Sequence, residues 1–201
     1  MEVYIIRHGQ TIWNASAKLQ GHTDIELDER GRASAIELGE RLEEDGVVFD
    51  AIYSSPLSRA YETACFIRGR QNIPVIKDER LKEIGFGEME GVTYDVWLKS
   101  DSPYRFFFDE PGQYFPPPGG ESLEELCERA RDFVRSELET DFKAKRILVA
   151  GHGALNKAMM CYLEGYDKSN FWGSGLQKNC EADVFSYDGK TWSKVGKYGM
   201  N

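Results

Sequence analysis

Short apolar runs alternate along this chain with segments whose apolar residues recur at helical spacing. Four runs are predicted as strands: residues 3–6, 49–53, 74–76 and 147–150. Four segments are predicted as helices: residues 28–44, 56–67, 122–138 and 154–163. Because strands and helices take turns, the pattern predicts an α/β domain with a largely parallel sheet.

Polar residues mark the predicted helix starts. Asp28 is a predicted N-cap, and Ser55-Pro56 predicts a cap followed by proline at the first helical position. Ser122 and Glu125 form a predicted capping box. On the helix that Asp28 opens, the face predicted to be buried consists of Ala35, Ile36, Gly39 and Leu42.

Two segments depart from the alternation. Residues 93–120 contain a short helix candidate at 94–98 and then become aromatic and proline-rich, which predicts an inserted cap segment and not a linker. Near the C-terminus, Asp188-Gly189 predicts a two-residue turn between strands over 182–187 and 191–195. The chain, residues 1–201, is therefore predicted as one domain that carries a cap.

Composition and charge limit the cellular compartments and the partners that we expect for this protein. Among the 201 residues, 41% are hydrophobic, no apolar run reaches membrane-span length, and no signal-peptide pattern opens the chain, so we expect a cytoplasmic protein. The net charge of −9 argues against nucleic acid or an anionic membrane as a partner. Local arginines and histidines must therefore attract any anionic substrate. Reduced thiols are expected at four scattered positions: Cys65, Cys127, Cys161 and Cys180.

Two of the three histidines directly follow buried strands. Arg7-His8-Gly9 follows the first strand, and Gly151-His152-Gly153 follows the strand at 147–150. Ligands of parallel α/β sheets bind at the carboxyl ends of strands, so neighbouring strands would bring both histidines to one crevice. A neutral imidazole beside a guanidinium can attack a phosphoryl group, and glycine lets the backbone approach a bound anion. Either motif alone fits an ordinary strand-end turn equally well.

Two further side chains could complete a phosphoryl-transfer site. Arg59 lies near the start of a predicted helix, where free backbone N–H groups favour an anion. Glu83 lies among apolar residues and glycines, and burial there would favour the proton-donating form of its carboxyl group. The alternatives are a solvent-exposed helix charge for Arg59 and an ordinary loop glutamate for Glu83.

Seven segments in order carry a family resemblance that spans nearly the whole chain. They are Arg7–Asn14, Leu19–Gly21, Ser54–Ala60, Leu81–Gly87, Glu90-Gly91, Pro118–Ser122 and Gly151–Gly153. Together they resemble the histidine phosphatase superfamily, also called the phosphoglycerate-mutase-like family. The resemblance implies a three-layer α/β/α sandwich with a mostly parallel sheet, and an enzyme that requires neither a metal nor a cofactor.

The resemblance also implies roles for individual residues. His8 would be the nucleophile that carries the phosphoryl group as a phosphohistidine, and Glu83 would donate a proton to the leaving group and then activate water. Arg7, Arg59 and His152 would line the phosphate pocket and supply the positive charge that Mg²⁺ supplies elsewhere. Gln10 replaces a glutamate that is commoner in the family, at a position outside the core catalytic set.

Substrate contacts are implied for a second group of residues: Asn14, Gln20, Gly21 and His22. His22 admits two interpretations, because a three-histidine metal site with His8 and His152 is conceivable. No ligand spacing supports that site, and a loop position beside Gly21 favours a pocket-rim residue.

Three functions remain open within the family. A phosphomonoesterase, either α-ribazole-phosphatase-like or of broad specificity, is favoured for a small phosphorylated metabolite; phosphoserine and sugar-phosphate phosphatases of the family also stay open. A phosphoglycerate mutase would need a basic cluster after Glu83, where only Lys99 and Arg105 stand among acidic residues. An interaction module with weak catalysis would usually lack a pocket residue, and none is missing. Pairing of edge strands in a homodimer also stays open.

The aromatic residues of the cap suggest a substrate with an apolar or ring surface. The alternative is that these side chains only fasten the cap to the core.

Overall fold

A mixed sheet forms the centre of the structure, a computed structural model that describes residues 1–99, 101–140, 145–173 and 175–199. Its strands are β1 (Glu2–Arg7), β2 (Ala51–Ser54), β3 (Val75–Lys77), β4 (Arg146–Gly151), β5 (Ala182–Tyr187) and β6 (Trp192–Tyr198). They lie in the order β3-β2-β4-β1-β5-β6. The strands β1 to β4 are parallel, whereas β5 and β6 add an antiparallel edge, so the prediction of a largely parallel sheet is confirmed.

Helices cover both faces of this sheet. Their bounds are α1 (Ile12–Ala15), α2 (Glu29–Glu44), α3 (Ser58–Arg68), α4 (Tyr94–Trp97), α5 (Phe106–Asp109), α6 (Leu123–Phe133) and α7 (Gly153–Glu164), and α6 continues into a π-helical turn, Val134–Leu138. Short 3₁₀ turns lie at Glu79–Leu81, Gly87–Met89, Pro103–Arg105, Pro111–Gln113 and Lys168–Asn170. No described helix is long and apolar enough to cross a membrane.

The side chains of β1 explain the three layers. Tyr4 and Ile6 belong to the core beneath α2 and α3, whereas Val3 and Ile5 belong to the core beneath α6 and α7. Successive side chains of a strand point to opposite faces of a sheet, so a strand covered by helices on both faces must be apolar at every position. This confirms the α/β/α sandwich and explains the uninterrupted apolar run of the sequence.

The predicted start of α2 is confirmed, but one residue of its buried face is wrong. Asp28 caps the helix through its carboxylate, which accepts a hydrogen bond from the Gly31 amide at 2.7 Å. Ile36 is 42% exposed, and Leu38 takes its place in the core. The buried positions are 31, 35, 38, 39 and 42, which is the spacing of one helical face.

The predicted start of α3 is wrong by two residues. The helix begins at Ser58 after Leu57, which has an extended backbone and no capping side chain. The carboxylate of Asp24, from a distant loop, accepts hydrogen bonds from the backbone amide and hydroxyl of Ser58. A tertiary contact therefore supplies the cap that the local sequence assigned to Ser55. The capping box of Ser122 and Glu125, in contrast, is confirmed.

The turn between β5 and β6 also differs from the prediction. Tyr187 pairs with Trp192, so four residues, 188–191, connect the strands. The Asp188 carboxylate accepts hydrogen bonds from the amides of Lys190 and Thr191, and this wider turn replaces the two-residue turn.

Aromatic packing joins the predicted cap, residues 93–120, to the rest of the chain; Ser100 lies outside the described residues. Trp97 and Phe107 are fully buried, and their rings contact the ring of Phe86 at centroid distances of 5.3 and 5.4 Å. These contacts fit the interpretation that the aromatic residues fasten the cap. The side chain of Phe108 is only half-buried and faces the site described next.

Candidate active site

The two histidines lie side by side, just beyond the carboxyl ends of the two central strands of the sheet. The strands β1 and β4 are neighbours, and Arg7 pairs in register with Gly151. His8 and His152 therefore leave the sheet side by side, with their ring centroids 5.2 Å apart. Their exposed fractions are 2% and 0%. Both imidazoles thus lie at the carboxyl ends of the strands, where the sequence predicted a crevice. His8 lines the pocket there, whereas His152 is fully buried behind the lining.

The hydrogen bonding of His8 defines its tautomer. Its Nδ1 lies 2.7 Å from the carbonyl oxygen of Gly9, which can only accept, so Nδ1 carries the proton. The Nε2 atom is then left with a free lone pair. Burial, followed by the charges of Arg59 and Arg7, holds the pKa of His8 well below its usual value of 6.5. The side chain is therefore a neutral base at physiological pH.

The other histidine is held in the opposite tautomer. Nδ1 of His152 accepts a hydrogen bond from Nε of Arg59 at 3.2 Å, which leaves the proton on Nε2. This Nε2–H is buried and has no hydrogen-bond partner. Burial and the charge of Arg59 also hold the pKa of His152 well below 6.5. A buried donor without a partner costs free energy, and an anionic oxygen would satisfy it.

The guanidinium of Arg59 is fully buried at the start of α3, so its interpretation as a solvent-exposed charge is wrong. Besides Nε, its Nη1 donates to the carbonyl of Thr23 at 2.9 Å and its Nη2 donates to that of Gly21 at 2.8 Å. Burial lowers the pKa of Arg59 to about 10, so the group stays charged at neutral pH. These three bonds fix its position beside the histidines.

A second guanidinium stands at the end of β1. Nη1 of Arg7 donates to the carbonyl of Gln177 at 2.6 Å, and its Nε is buried without a partner. Burial lowers its pKa. Gln177 is itself held by hydrogen bonds from its amide to the Ile5 carbonyl and the Asp183 carboxylate. Gln177 gave no signal in the sequence, because it reaches Arg7 only through the folded chain.

The carboxylate of Glu83 lies at the N-terminus of α7. It accepts hydrogen bonds from the amides of Ala154 at 3.2 Å and Leu155 at 3.0 Å, and from that of Ile84 at 2.9 Å. The side chain is half-buried. Backbone amides hold its carboxylate because α7 begins directly after His152 and presents its free amides to the loop of Glu83, a contact that the sequence did not predict.

Arg129, on α6, holds the loop that carries Glu83. Its Nη1 donates to the carbonyls of Arg80 and Lys82, both at 2.6 Å, and its Nη2 donates to the carbonyl of Glu83 at 3.0 Å. Its Nε pairs with the Glu121 carboxylate at 2.6 Å. Nothing in the sequence distinguishes Arg129 from an arginine on the exposed face of a helix, so it was not predicted as a site residue.

Glu90 shapes the loop that holds Arg59. Its carboxylate accepts hydrogen bonds from the amides of His22 and Thr23, both at 2.8 Å. Gly21 has a φ of +54°, and a Cβ atom there would lie 2.1 Å from Oε1 of Glu90. Glycine is therefore required at this position, which places its carbonyl oxygen on Arg59.

The crevice is a pocket that most of the predicted site residues line. They are Arg7, His8, Asn14, Gln20, Gly21, Arg59 and Glu83. His152 and His22 are not among the lining residues. Nε2 of His22 donates to the carbonyl of Glu83 at 2.9 Å, and its ring is exposed. Among the described residues, no group of three or more His, Cys, Asp or Glu side chains could hold a metal ion.

The rest of the described pocket lining is mostly aromatic and aliphatic. Its side chains include Phe86, Tyr94, Phe107, Phe108, Trp172 and Leu176. Trp172 and Leu176 come from the segment after α7, and no motif in the sequence pointed to either of them.

Taken together, these features describe an anion-binding pocket with a free imidazole nitrogen, two guanidinium groups and a carboxylate. Comparison with known proteins agrees with this chemistry. Residues 3–198 match the histidine phosphatase superfamily (branch 1), and the chain belongs to that family. It is thus an enzyme, a phosphatase of the histidine phosphatase family.

Individual relatives differ in their reactions. Phosphoserine phosphatase 1 of Hydrogenobacter thermophilus is 34% identical over 87% of this chain and 82% of its own length. A 2,3-bisphosphoglycerate-dependent phosphoglycerate mutase of Bradyrhizobium diazoefficiens is 35% identical over 80% of this chain and 79% of its own. The solved structure of Bacillus stearothermophilus YhfR is 33% identical and has a TM-score of 0.87, covering 96% of this chain and 95% of that one.

Proposed function

We propose that this chain hydrolyses phosphomonoesters through a phosphohistidine on His8, without a metal ion. The observation that carries the proposal is the pair of opposite tautomers. His8 offers the lone pair of Nε2 to the pocket, whereas His152 offers a buried Nε2–H that has no partner. A phosphoryl group bound against both imidazoles would meet the nucleophile of His8 and the hydrogen-bond donor of His152.

The first step forms a bond between Nε2 of His8 and phosphorus while the ester P–O bond breaks. The electron pair of that bond goes to the ester oxygen, which takes a proton from Glu83. In the second step, water attacks phosphorus, the N–P bond breaks, and its electron pair returns to His8. The carboxylate of Glu83 takes the proton of that water, and phosphate leaves.

The positive charge for both steps comes from the chain. Arg7 and Arg59 would stabilise the transferring phosphoryl group, together with the Nε2–H of His152. We assign further contacts with the phosphate or the substrate to Asn14 and to the loop of Gln20 and Gly21. The amide oxygen of Asn14 accepts hydrogen bonds from Thr11, which leaves its NH₂ group to donate.

The substrate is a small phosphorylated metabolite, with α-ribazole phosphate or a broad range of esters as the two forms of this proposal. Hydrolysis is favoured over mutase activity, because a mutase must also grip the carboxylate of a phosphoglycerate. Lys99 and Arg105 are not among the pocket-lining residues. Lys99 is exposed, and the guanidinium of Arg105 lies over the ring of Phe106, 5.1 Å from its centroid.

A phosphate-release screen tests the proposal. Purified protein is assayed on a panel of phosphomonoesters, with and without EDTA, beside a His8→Asn variant whose fold is checked by circular dichroism. We expect release that EDTA does not reduce, and a loss of at least about a thousandfold in the variant. Rapid quenching with radiolabelled substrate should trap an acid-labile, alkali-stable phosphoprotein in the wild type only.

Three outcomes would contradict the proposal. Full activity in the His8→Asn protein would show that His8 is not the nucleophile. Interconversion of phosphoglycerates much faster than phosphate release would identify a mutase. Failure on every ester of the panel would favour an interaction module.

A further inference from the structure

The pocket lining contains two chemically different groups of side chains. The polar group includes Arg7, His8, Arg59 and Glu83. The aromatic group, which we call the aromatic wall, consists of Phe86, Tyr94, Phe107, Phe108 and Trp172. With the phosphoryl group on His8, as proposed above, the alcohol part of the substrate would contact this wall.

The exposed edge of the wall is a stacked and fixed pair of rings. Phe108 and Trp172 are both half-buried, with centroids 5.2 Å apart and planes 25° from parallel. Nε1 of Trp172 donates to the carbonyl of Phe107 at 2.6 Å, which holds the indole against α5. Phe107 packs edge-on against Trp172 at 5.1 Å, and it is itself almost fully buried. The pair therefore offers a preformed apolar surface, because its rings are already ordered.

The described lining has no further positive charge for a second anionic group. Among the described lining residues, the only arginine and lysine side chains are Arg7 and Arg59. Both guanidinium groups are assigned above to the transferring phosphoryl group. Glu83, the acidic side chain of the lining, supplies no positive charge. A carboxylate on the alcohol part would thus be desolvated without an ion pair.

We propose that the aromatic wall is the specificity determinant of this phosphatase. It selects phosphomonoesters whose alcohol carries a flat apolar or aromatic ring, and it disfavours those whose alcohol carries a carboxylate. The inference rests on the proposed phosphatase activity and names the substrate class of the same site.

The test compares esters whose leaving groups are alkyl alcohols, so that differences in leaving-group chemistry are small. The wild-type protein is assayed on phenylethyl phosphate, ethyl phosphate and phosphoserine. We expect kcat/KM for phenylethyl phosphate to exceed that for ethyl phosphate by about tenfold or more, mainly through KM, since a ring buried on an aromatic surface is worth about this factor. Phosphoserine should rank below ethyl phosphate.

Two variants of helix α5 then test whether the aromatic wall causes this selectivity. Phe108→Ala should reduce the ratio of kcat/KM between phenylethyl and ethyl phosphate to nearly one. Phe106→Ala is the matched control, because Phe106 is half-buried in the same helix, α5, but does not line the pocket. Its ratio should equal that of the wild type. Phe108→Leu, which keeps most of the side-chain volume, serves if the alanine variant fails to fold, and it should lower the ratio as well.

The possible failures are distinguishable. If none of the esters is hydrolysed, the proposed function itself fails. If ethyl phosphate is hydrolysed as efficiently as phenylethyl phosphate, or if phosphoserine is preferred, the phosphatase stands and the role of the aromatic wall is refuted. An unchanged ratio in both Phe108 variants would also refute it.

Discussion

Replacing Arg129 by methionine should impair transfer of the phosphoryl group to His8 only for substrates whose leaving group needs a proton. Methionine keeps an unbranched side chain but removes the hydrogen bonds to the carbonyls of Arg80, Lys82 and Glu83, and the pairing with Glu121. Arg129 is therefore a positioning residue, since it holds the Glu83 loop and does not itself line the pocket.

The size of the effect follows from those bonds. With about 1 kcal/mol of net stabilisation for each of the three bonds to carbonyl groups, the variant should lose about 2–4 kcal/mol of unfolding free energy. The effect on catalysis is separate, because a carboxylate displaced by about 1 Å costs on the order of a hundredfold in rate. For an alkyl phosphate, whose alkoxide must be protonated as it leaves, we expect kcat/KM, which reports the steps up to phosphohistidine formation, to fall by about ten- to a hundredfold.

The assay compares ethyl phosphate with para-nitrophenyl phosphate. The nitrophenolate ion leaves without a proton, so kcat/KM for this ester should fall by less than about threefold in Arg129→Met. The control is Arg131→Met, because Arg131 lies on the same helix, α6, and is exposed. Equal losses on both substrates would show a general structural role and refute this reasoning, as would normal activity on ethyl phosphate in a folded Arg129→Met protein.

Two further predictions concern stability. Burial and neighbouring guanidinium groups hold the pKa values of His8 and His152 well below 6.5, so the unfolded chain binds more protons than the folded chain below that pH. The contribution of these two histidines to the unfolding free energy should thus be constant above pH 6.5. Below that pH, it should fall by up to about 1.4 kcal/mol per pH unit for each imidazole. Urea unfolding between pH 7.5 and 5.5 measures this slope, which His152→Gln should halve; an unchanged slope in that variant would contradict the assignment. In Gly9→Ala, the new Cβ atom would lie 2.6 Å from the carbonyl oxygen of Gly31, and thermal unfolding should show a loss of about 1–3 kcal/mol. Gly196→Ala, where nothing lies within 4 Å, should change stability by less than about 0.5 kcal/mol, and equal losses in both variants would disprove the steric argument.

The local pattern of apolar residues was enough to predict the alternation of strands and helices. It also predicted that Arg7-His8 and His152 follow the ends of buried strands. These features depend on the periodicity of neighbouring residues, which a single sequence displays directly. The cap of α2 was predictable for the same reason, because Asp28 bonds to an amide only three residues away.

Only the tertiary structure decided which of these elements meet. The pairing of β1 with β4 joins residues more than a hundred positions apart, and it brings the two imidazoles to 5.2 Å. Asp24 displaces the start of α3, Arg129 holds the Glu83 loop, and Trp172 completes the aromatic wall. Each of these contacts depends on the spatial arrangement of distant segments, and local hydrophobic periodicity carries no information about that arrangement.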